Sequence, residues 1–246
     1  MVEQHKYPGK ELPLFENATN WKKYFTGLIR KYIKKTVLEV GAGSGTSTIL
    51  LNNNSASEWI LVEPDGQLAN EIEKKISSKL LPSNCKLIKG TLNQLPAGIK
   101  FETILYIDVL EHIKDDKEEL KKASEFLKED GFLVVLSPAF QFLYSRFDDA
   151  IGHYRRYSAN QLKKMTPEYM KLVNIQYLDS AGFFSSLANR LILKQLYPTA
   201  DQITFWDKWM IPVSRITDQI LLHSFGKTIL ATWKKNYNGS KTGSGA

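Results

Sequence analysis

Three groups of residues in this chain have types and spacings suited to chemistry. The first is Val37-Leu38-Glu39-Val40-Gly41-Ala42-Gly43-Ser44-Gly45-Thr46, an apolar run containing an acid and followed by glycines at every second position. It reads as a strand turning sharply into a helix. Glycine admits positive φ and leaves the peptide bare, so a flat, nucleotide-like ligand is expected against this turn. Glu63 ends the next apolar run, about twenty residues further on. A carboxylate there can accept both ribose hydroxyls of a nucleoside.

The second group is Tyr106-Ile107-Asp108-Val109-Leu110-Glu111-His112, at the end of another apolar run. His112 titrates near neutrality when unperturbed and suits a general base, or it simply bridges the turn by a hydrogen bond. Asp108, Glu111 and His112 also form a set of hard and borderline ligands for Mg²⁺ or Mn²⁺, although the expectation is that no metal is held. The third group is Phe147-Asp148-Asp149-Ala150-Ile151-Gly152-His153-Tyr154-Arg155-Arg156-Tyr157-Ser158. His153 is a second base candidate. Arg155 and Arg156 are forks for a carboxylate or phosphate, one of them expected to anchor the loop and the other to face a pocket. Ser158 and Gln161 have capping-box spacing, which starts a helix there.

These groups need a frame to hold them. Apolar runs near 36–40, 58–63, 85–89, 102–107, 131–137, 171–178 and 227–233 read as strands, and helical patterns lie near 46–53, 66–80 and 115–128. The alternation predicts a doubly wound, mainly parallel α/β sheet of seven strands. Residues 1–237 are expected to form one domain. Within it, 1–35 carries Trp21, Phe25, Leu28 and Tyr32 at helical spacing, an apolar stripe for the sheet edge or a lid. Residues 183–225 form a helical insertion ahead of the last strand, with stripes Phe184, Leu187, Leu191 and Trp209, Val213, Ile216, Ile220, expected to cap the acceptor pocket. The Gly/Ser/Thr-rich 238–246 is expected to be disordered.

The glycine spacing G-x-G-x-G puts Thr46 where the dinucleotide fingerprint has its last glycine, which disfavours a nicotinamide-dependent oxidoreductase. The loop resembles motif I of the class I S-adenosylmethionine-dependent methyltransferases. The Gly-His-Tyr-Arg-Arg-Tyr run resembles the signature of a bacterial subgroup of them. The resemblance covers 36–178 well and the last strand moderately. It implies a Rossmann-like seven-stranded sheet and S-adenosylmethionine as cofactor, held by Glu39, Gly41, Gly43, Gly45, Glu63 and Asp108. Lys89-Gly90-Thr91-Leu92 resembles the family's adenine turn and adds Thr91 and Leu92, with Thr91 where many members have Asp. His112, His153 and Asp108 would be catalytic, and Tyr154, Arg155 and Arg156 would meet the acceptor. The (Asn/Asp)-Pro-Pro-Tyr motif of base and amide methylation is absent from the segment after the fourth strand, which disfavours methylation of adenine or glutamine nitrogen; the expected nucleophile is an oxygen, with nitrogen second. A module that binds the cofactor without catalysis is the remaining rival.

The chain has 246 residues and a formal charge of +7. Residues 1–150 are nearly balanced, whereas 151–246 carry 13 Lys and Arg against 5 Asp and Glu. That asymmetry suggests an anionic partner or a membrane surface near the last third. The acceptor is thus expected to be a small molecule, a sugar, or a lipid- or carrier-linked compound, partly apolar and partly anionic. No recognisable nucleic-acid module accompanies the charge. Met1–Lys10 lacks the apolar core of a signal peptide, and one cysteine, Cys85, precludes disulfide or cysteine-metal frameworks, so a cytoplasmic setting is expected.

Overall fold

The protein's computed structural model describes residues 6–52 and 56–236. The tail at 238–246 lies outside them. Seven strands form a single sheet: β1 (Thr36–Val40), β2 (Glu58–Glu63), β3 (Cys85–Lys89), β4 (Phe101–Ile107), β5 (Leu127–Pro138), β6 (Met170–Leu178) and β7 (Thr228–Lys235). Their order is β3-β2-β1-β4-β5-β7-β6, parallel throughout the first five and antiparallel where β7 inserts between β5 and β6. This is the expected doubly wound α/β architecture.

Continuous apolar runs such as Val37-Leu38 and Ile104-Leu105 become central strands because helices cover both faces. On one face lie α1 (Leu12–Glu16), α2 (Thr19–Ile29) and α3 (Thr46–Leu51), whose Trp21, Phe25, Ile29 and Leu51 pack in one core layer with Trp59 and Leu136. The α4 helix (Gly66–Ser77) adds Ile72 to that layer, while α5 (Asp116–Glu125) puts Leu120 in the opposite one with Leu38, Tyr106 and Trp233. Two expected boundaries move. β5 begins at Leu127, because Leu127 already pairs with Phe101 across a register shift, and this ends α5 at Glu125 instead of 128. α4 stops at Ser77, two residues before Lys79 takes positive φ.

After β5 come α6 (Arg146–Ile151) and α7 (Ala159–Lys164), and between β6 and β7 lie α8 (Ser180–Ala188), α9 (Ala200–Phe205) and α10 (Ile211–Ile220), with single π turns at Asn189–Leu193 and Trp206–Met210. The expected apolar stripe on α10 faces the opposite way. Ile211, Ser214 and Asp218 are buried, whereas Trp209, Val213, Ile216 and Ile220 are exposed. A buried polar network sets this orientation. The Asp218 carboxylate accepts the Tyr24 hydroxyl at 2.8 Å and the amides of Asp179 and Ser180 at 2.7 and 2.9 Å. Asp179 in turn accepts from the Ser214 hydroxyl at 2.6 Å and the Trp206 indole at 2.7 Å. Turning α10 over to bury its four apolar side chains would break these hydrogen bonds and leave buried carboxylates without donors, so the polar face is held inward.

Strand order reverses at β1, which has β2 on one side and β4 on the other. The carboxyl ends of β1, β2, β4 and β5 deliver Gly41, Glu63, Asp108 and Pro138 to one crevice, where open α/β sheets bind ligands.

Candidate functional site

A cavity of about 820 Å³ occupies this crevice, a size suited to a small-molecule cofactor plus an acceptor. Its cofactor end is the glycine loop. Gly43 stands at φ +59° with no atom within 4 Å of where a Cβ would point, so the loop presents bare peptide to open space. A Cβ on Gly41 would strike Val109 at 2.7 Å, and one on Gly45 would press Leu81 at 3.2 Å. Gly45 therefore serves the turn into α3 and does not line the cavity.

Glu63 lines the cavity and also shapes the loop. Its carboxylate accepts the Gly43 amide at 2.7 Å and the Asp65 amide at 2.9 Å. Burial pushes it up to about 7 despite these bonds. Asp65 caps α4 through the amides of Gln67 and Leu68 and accepts the Tyr7 amide at 2.8 Å, drawing the N-terminal segment over the site.

Besides Gly45, three residues assigned to the cofactor by resemblance lie elsewhere. Glu39 is buried behind the loop, accepting the Thr48 hydroxyl at 2.8 Å and the Trp59 indole at 2.9 Å. It ties β1 to α3 and β2 without lining the cavity. Thr91 takes part in a capping box with Gln94, and Leu92 is buried in the core layer opposite Trp21. Neither lines the cavity.

The other end of the cavity gathers Asp108, Glu111, His112, His153 and Arg156. Asp108 follows β4 at φ +53°, a conformation uncommon for a side-chain-bearing residue, and its amide donates to Leu136. The His112 and His153 rings meet edge-on with centroids 4.6 Å apart. His153 Nδ1 is 2.8 Å from Asp148 Oδ1 and Nε2 is 3.8 Å from Glu111 Oε1. Burial, the approach of His153 and the opposing hydrogen bond to Gly152 leave His112 at about 3. Burial and then Asp108 drive Glu111 well above the usual carboxylate range. Its Oε2 accepts the Ser137 hydroxyl at 2.8 Å, while Oε1 is buried with no hydrogen-bond partner.

The two expected acceptor forks separate in the fold. Arg156 is at the cavity wall, but its guanidinium is spent on Asp148, with Nε 2.8 Å from one oxygen and a terminal nitrogen 2.9 Å from the other. Arg155 turns away to Asp116 at 2.7 Å and the Lys114 carbonyl at 2.8 Å, and Tyr154 is exposed; neither lines the cavity. Beside Arg156, the cations that line it are Lys22 and Lys227, neither singled out as a site residue by the sequence. Lys227 lies 3.4 Å from Asp179 Oδ2 and over the Trp206 ring at 3.7 Å. Tyr7 and Glu11, bonded to each other through the tyrosine hydroxyl, also line the cavity, with the Tyr7 ring edge-on to His112 at 5.4 Å.

Comparison with known proteins gives this geometry a family. A methyltransferase domain model matches residues 19–179. An (S)-coclaurine N-methyltransferase of Papaver somniferum is 28% identical over 102 residues, which span 41% of this chain and 29% of that enzyme. A coclaurine N-methyltransferase structure bound to N-methylheliamine and S-adenosylhomocysteine superposes with a TM-score of 0.59 at 16% identity, covering 95% of this chain and 84% of that one. An S-adenosylmethionine-dependent methyltransferase from Clostridium acetobutylicum gives 0.58 at 13% identity over 92% and 96% of the two chains. The [4+2]-cyclase SpnF reaches 0.60 at 14%, over 87% and 80%, so the likeness of architecture by itself speaks for fold and not for chemistry. The open Gly43 cradle with Glu63 beside it suits a nucleoside that bears no phosphate. With the family model covering most of the chain, the protein belongs to the methyltransferase domain family.

Proposed function

We propose that the protein moves a methyl group to an oxygen, and in second place a nitrogen, of a small-molecule, sugar, lipid-linked or carrier-linked acceptor. The observation that carries this reading is a single cavity with Gly43 and Glu63 at one end and His153, paired with Asp148, at the other. Gly41, Gly43 and Glu63 would hold S-adenosylmethionine, whose sulfonium supplies an already activated methyl. The protein then has to hold the nucleophile in line and take its proton. His153 suits the second task because Asp148 fixes Nδ1 and leaves Nε2 free, whereas His112 is too weak a base near neutrality.

An alcohol needs that proton removed and a neutral amine does not, so the histidine pair favours oxygen while the likeness to an N-methyltransferase favours nitrogen. With Arg156 held by Asp148 and Lys227 by Asp179, support for an anionic acceptor narrows to Lys22, whose ammonium donates to the neutral Glu16 carbonyl and Thr46 hydroxyl. Support for an apolar one comes from Phe15, Phe25, Leu193, Phe205 and Trp206 along the wall. The test is thermal unfolding with S-adenosylhomocysteine and with NADH. A rise with the first and none with the second supports the assignment, and the reverse overturns it.

A specific observation favours a second reading of the acceptor end. Glu111, His112 and His153 each bring a ligand atom within 4.8 Å of the others, and Glu111 Oε1 lacks a partner. These three, in place of Asp108, Glu111 and His112, would hold a divalent cation that lowers the pKa of an acceptor hydroxyl.

A further inference from the structure

Among the described residues, no helix is long and apolar enough to cross a membrane. Yet most of the large apolar side chains left exposed fall between Phe184 and Leu222. Trp209 is 60% exposed, Ile216 64%, Ile220 72% and Leu222 86%. A monomer rarely leaves so much apolar surface in one place without a partner for it.

The exposed side chains share a face. α8 and α10 lie side by side, with the Ala181 amide 3.1 Å from Ser214 Oγ and Ser180 Oγ 2.6 Å from Thr217 Oγ1. Phe184 stands one turn beyond Ser180, and Val213 and Ile220 stand one turn to either side of Thr217. The apolar side chains therefore flank the seam between the helices. The Asp179 and Asp218 network grips α10 from the inner side, so rotating these side chains inward would break buried hydrogen bonds.

Charge identifies the occupant. The insertion exposes Arg190, Lys194, Lys208 and Arg215, against Asp201 as its exposed acid; Asp207 and Asp218 are buried and bonded. Arg215 turns inward over the Tyr24 ring, but Lys208 stands 5.6 Å from the exposed Trp209 ring, so a second copy seated on this face would meet a cation among its apolar side chains. An anionic bilayer meets both halves of the surface, with lipid chains for the aromatic and aliphatic residues and headgroups for the cations. Leu193 and Phe205 are exposed on the insertion and also line the cavity, so an acyl or prenyl chain could pass from bilayer to cavity without crossing water.

We propose that the outer face of α8, α10 and the π turns docks on an anionic membrane surface and admits a lipid-linked acceptor to the cavity. This deepens the methyltransferase reading and rests on it only for the acceptor. The full chain is sedimented with phosphatidylcholine vesicles with and without phosphatidylglycerol. The expected result is association with the anionic vesicles, weakened by salt and abolished by Ile216→Glu with Ile220→Glu. Lys208→Ala should weaken it by about fivefold, the share of one cation near an anionic surface. The melting rise with S-adenosylhomocysteine, kept in every variant, shows that fold and cofactor site are intact. A chain that still responds to S-adenosylhomocysteine but ignores anionic vesicles overturns the proposal. So does a dimer in solution that Ile216→Glu converts to monomer, because the face would then belong to a second copy. A chain that binds vesicles but not S-adenosylhomocysteine would instead sink the methyltransferase reading.

Discussion

His153 Nδ1 and Asp148 Oδ1 lie 2.8 Å apart, and Arg156 closes on the same carboxylate from its other side. Burial opposes a charge on Asp148, but the His153 hydrogen bond and the Arg156 guanidinium outweigh it and hold the acid at about 2. It is ionised throughout the physiological range and, bonded to Nδ1, fixes the orientation of the His153 ring. His153→Ala is therefore expected to lower turnover of an alcohol acceptor by about 100-fold or more, with S-adenosylhomocysteine affinity little changed. His112→Ala should cost less. Initial rates and cofactor titrations check both, and equal small losses would leave positioning as the main source of rate.

At the cofactor end, the empty space over Gly43 is the feature under test. A ligand at about 100 times its dissociation constant adds roughly 2.7 kcal/mol to the stability of the state it binds. Wild type should show that gain with S-adenosylhomocysteine, read as a higher melting temperature. Gly43→Val fills the space and places a branched side chain at φ +59°, so it should lose about 1–2 kcal/mol without ligand and gain nothing with it. Far-ultraviolet circular dichroism establishes that the variant is folded. A Gly43→Val protein that still gains would move the cofactor away from this loop.

The parts of this architecture legible in the sequence were those written locally. Strand runs, the glycine turn and Glu63 at the end of its run are each marked by their immediate neighbours in the chain. Other parts depend on partners far apart in the chain. The Tyr7 amide reaches Asp65 across 58 positions and Asp218 reaches the Asp179 amide across 39, and no periodicity marks either pairing. The stripe Trp209, Val213, Ile216, Ile220 has the period of a helix that packs, but the side that packs was decided by Asp218 finding Tyr24. Arg155 and Arg156 looked equivalent as neighbours. One meets Asp148 and the other Asp116, a distinction that requires the folded loop.

Glu39 offers a test of structure against cofactor binding. Burial pushes its carboxyl from the usual 4.5 up to about 7, opposed by the Thr48 and Trp59 hydrogen bonds. The folded chain thus keeps a proton that the unfolded chain gives up, so this group's contribution to stability declines as pH rises from about 4.5 to about 7. Glu39→Gln has no such proton. Relative to wild type, its stability should improve by roughly 2–3 kcal/mol between about pH 5 and pH 8, measured by urea unfolding. Its response to S-adenosylhomocysteine should be unchanged, because Glu39 does not line the cavity. A constant difference across pH would mean that Glu39 is ionised when buried.

The two readings of the acceptor end part company at Glu111. With His153 as base, exhaustive chelation leaves turnover unchanged, and Glu111→Gln acts mainly by altering the packing against Ser137. With a cation on Glu111, His112 and His153, chelation abolishes turnover and Mn²⁺ restores it. A readout independent of turnover is available too. Mn²⁺ should then raise the melting temperature of wild type but not of Glu111→Gln, since the amide keeps the shape of the side chain and removes its charge. The buried, unpartnered Oε1 gives this comparison its force: a carboxylate oxygen left without a donor costs about 1–3 kcal/mol or more, which either a proton on Glu111 or a bound cation would relieve. A proton gives a melting temperature indifferent to Mn²⁺ and falling as pH rises through the Glu111 titration, whereas a cation gives one that depends on Mn²⁺ concentration.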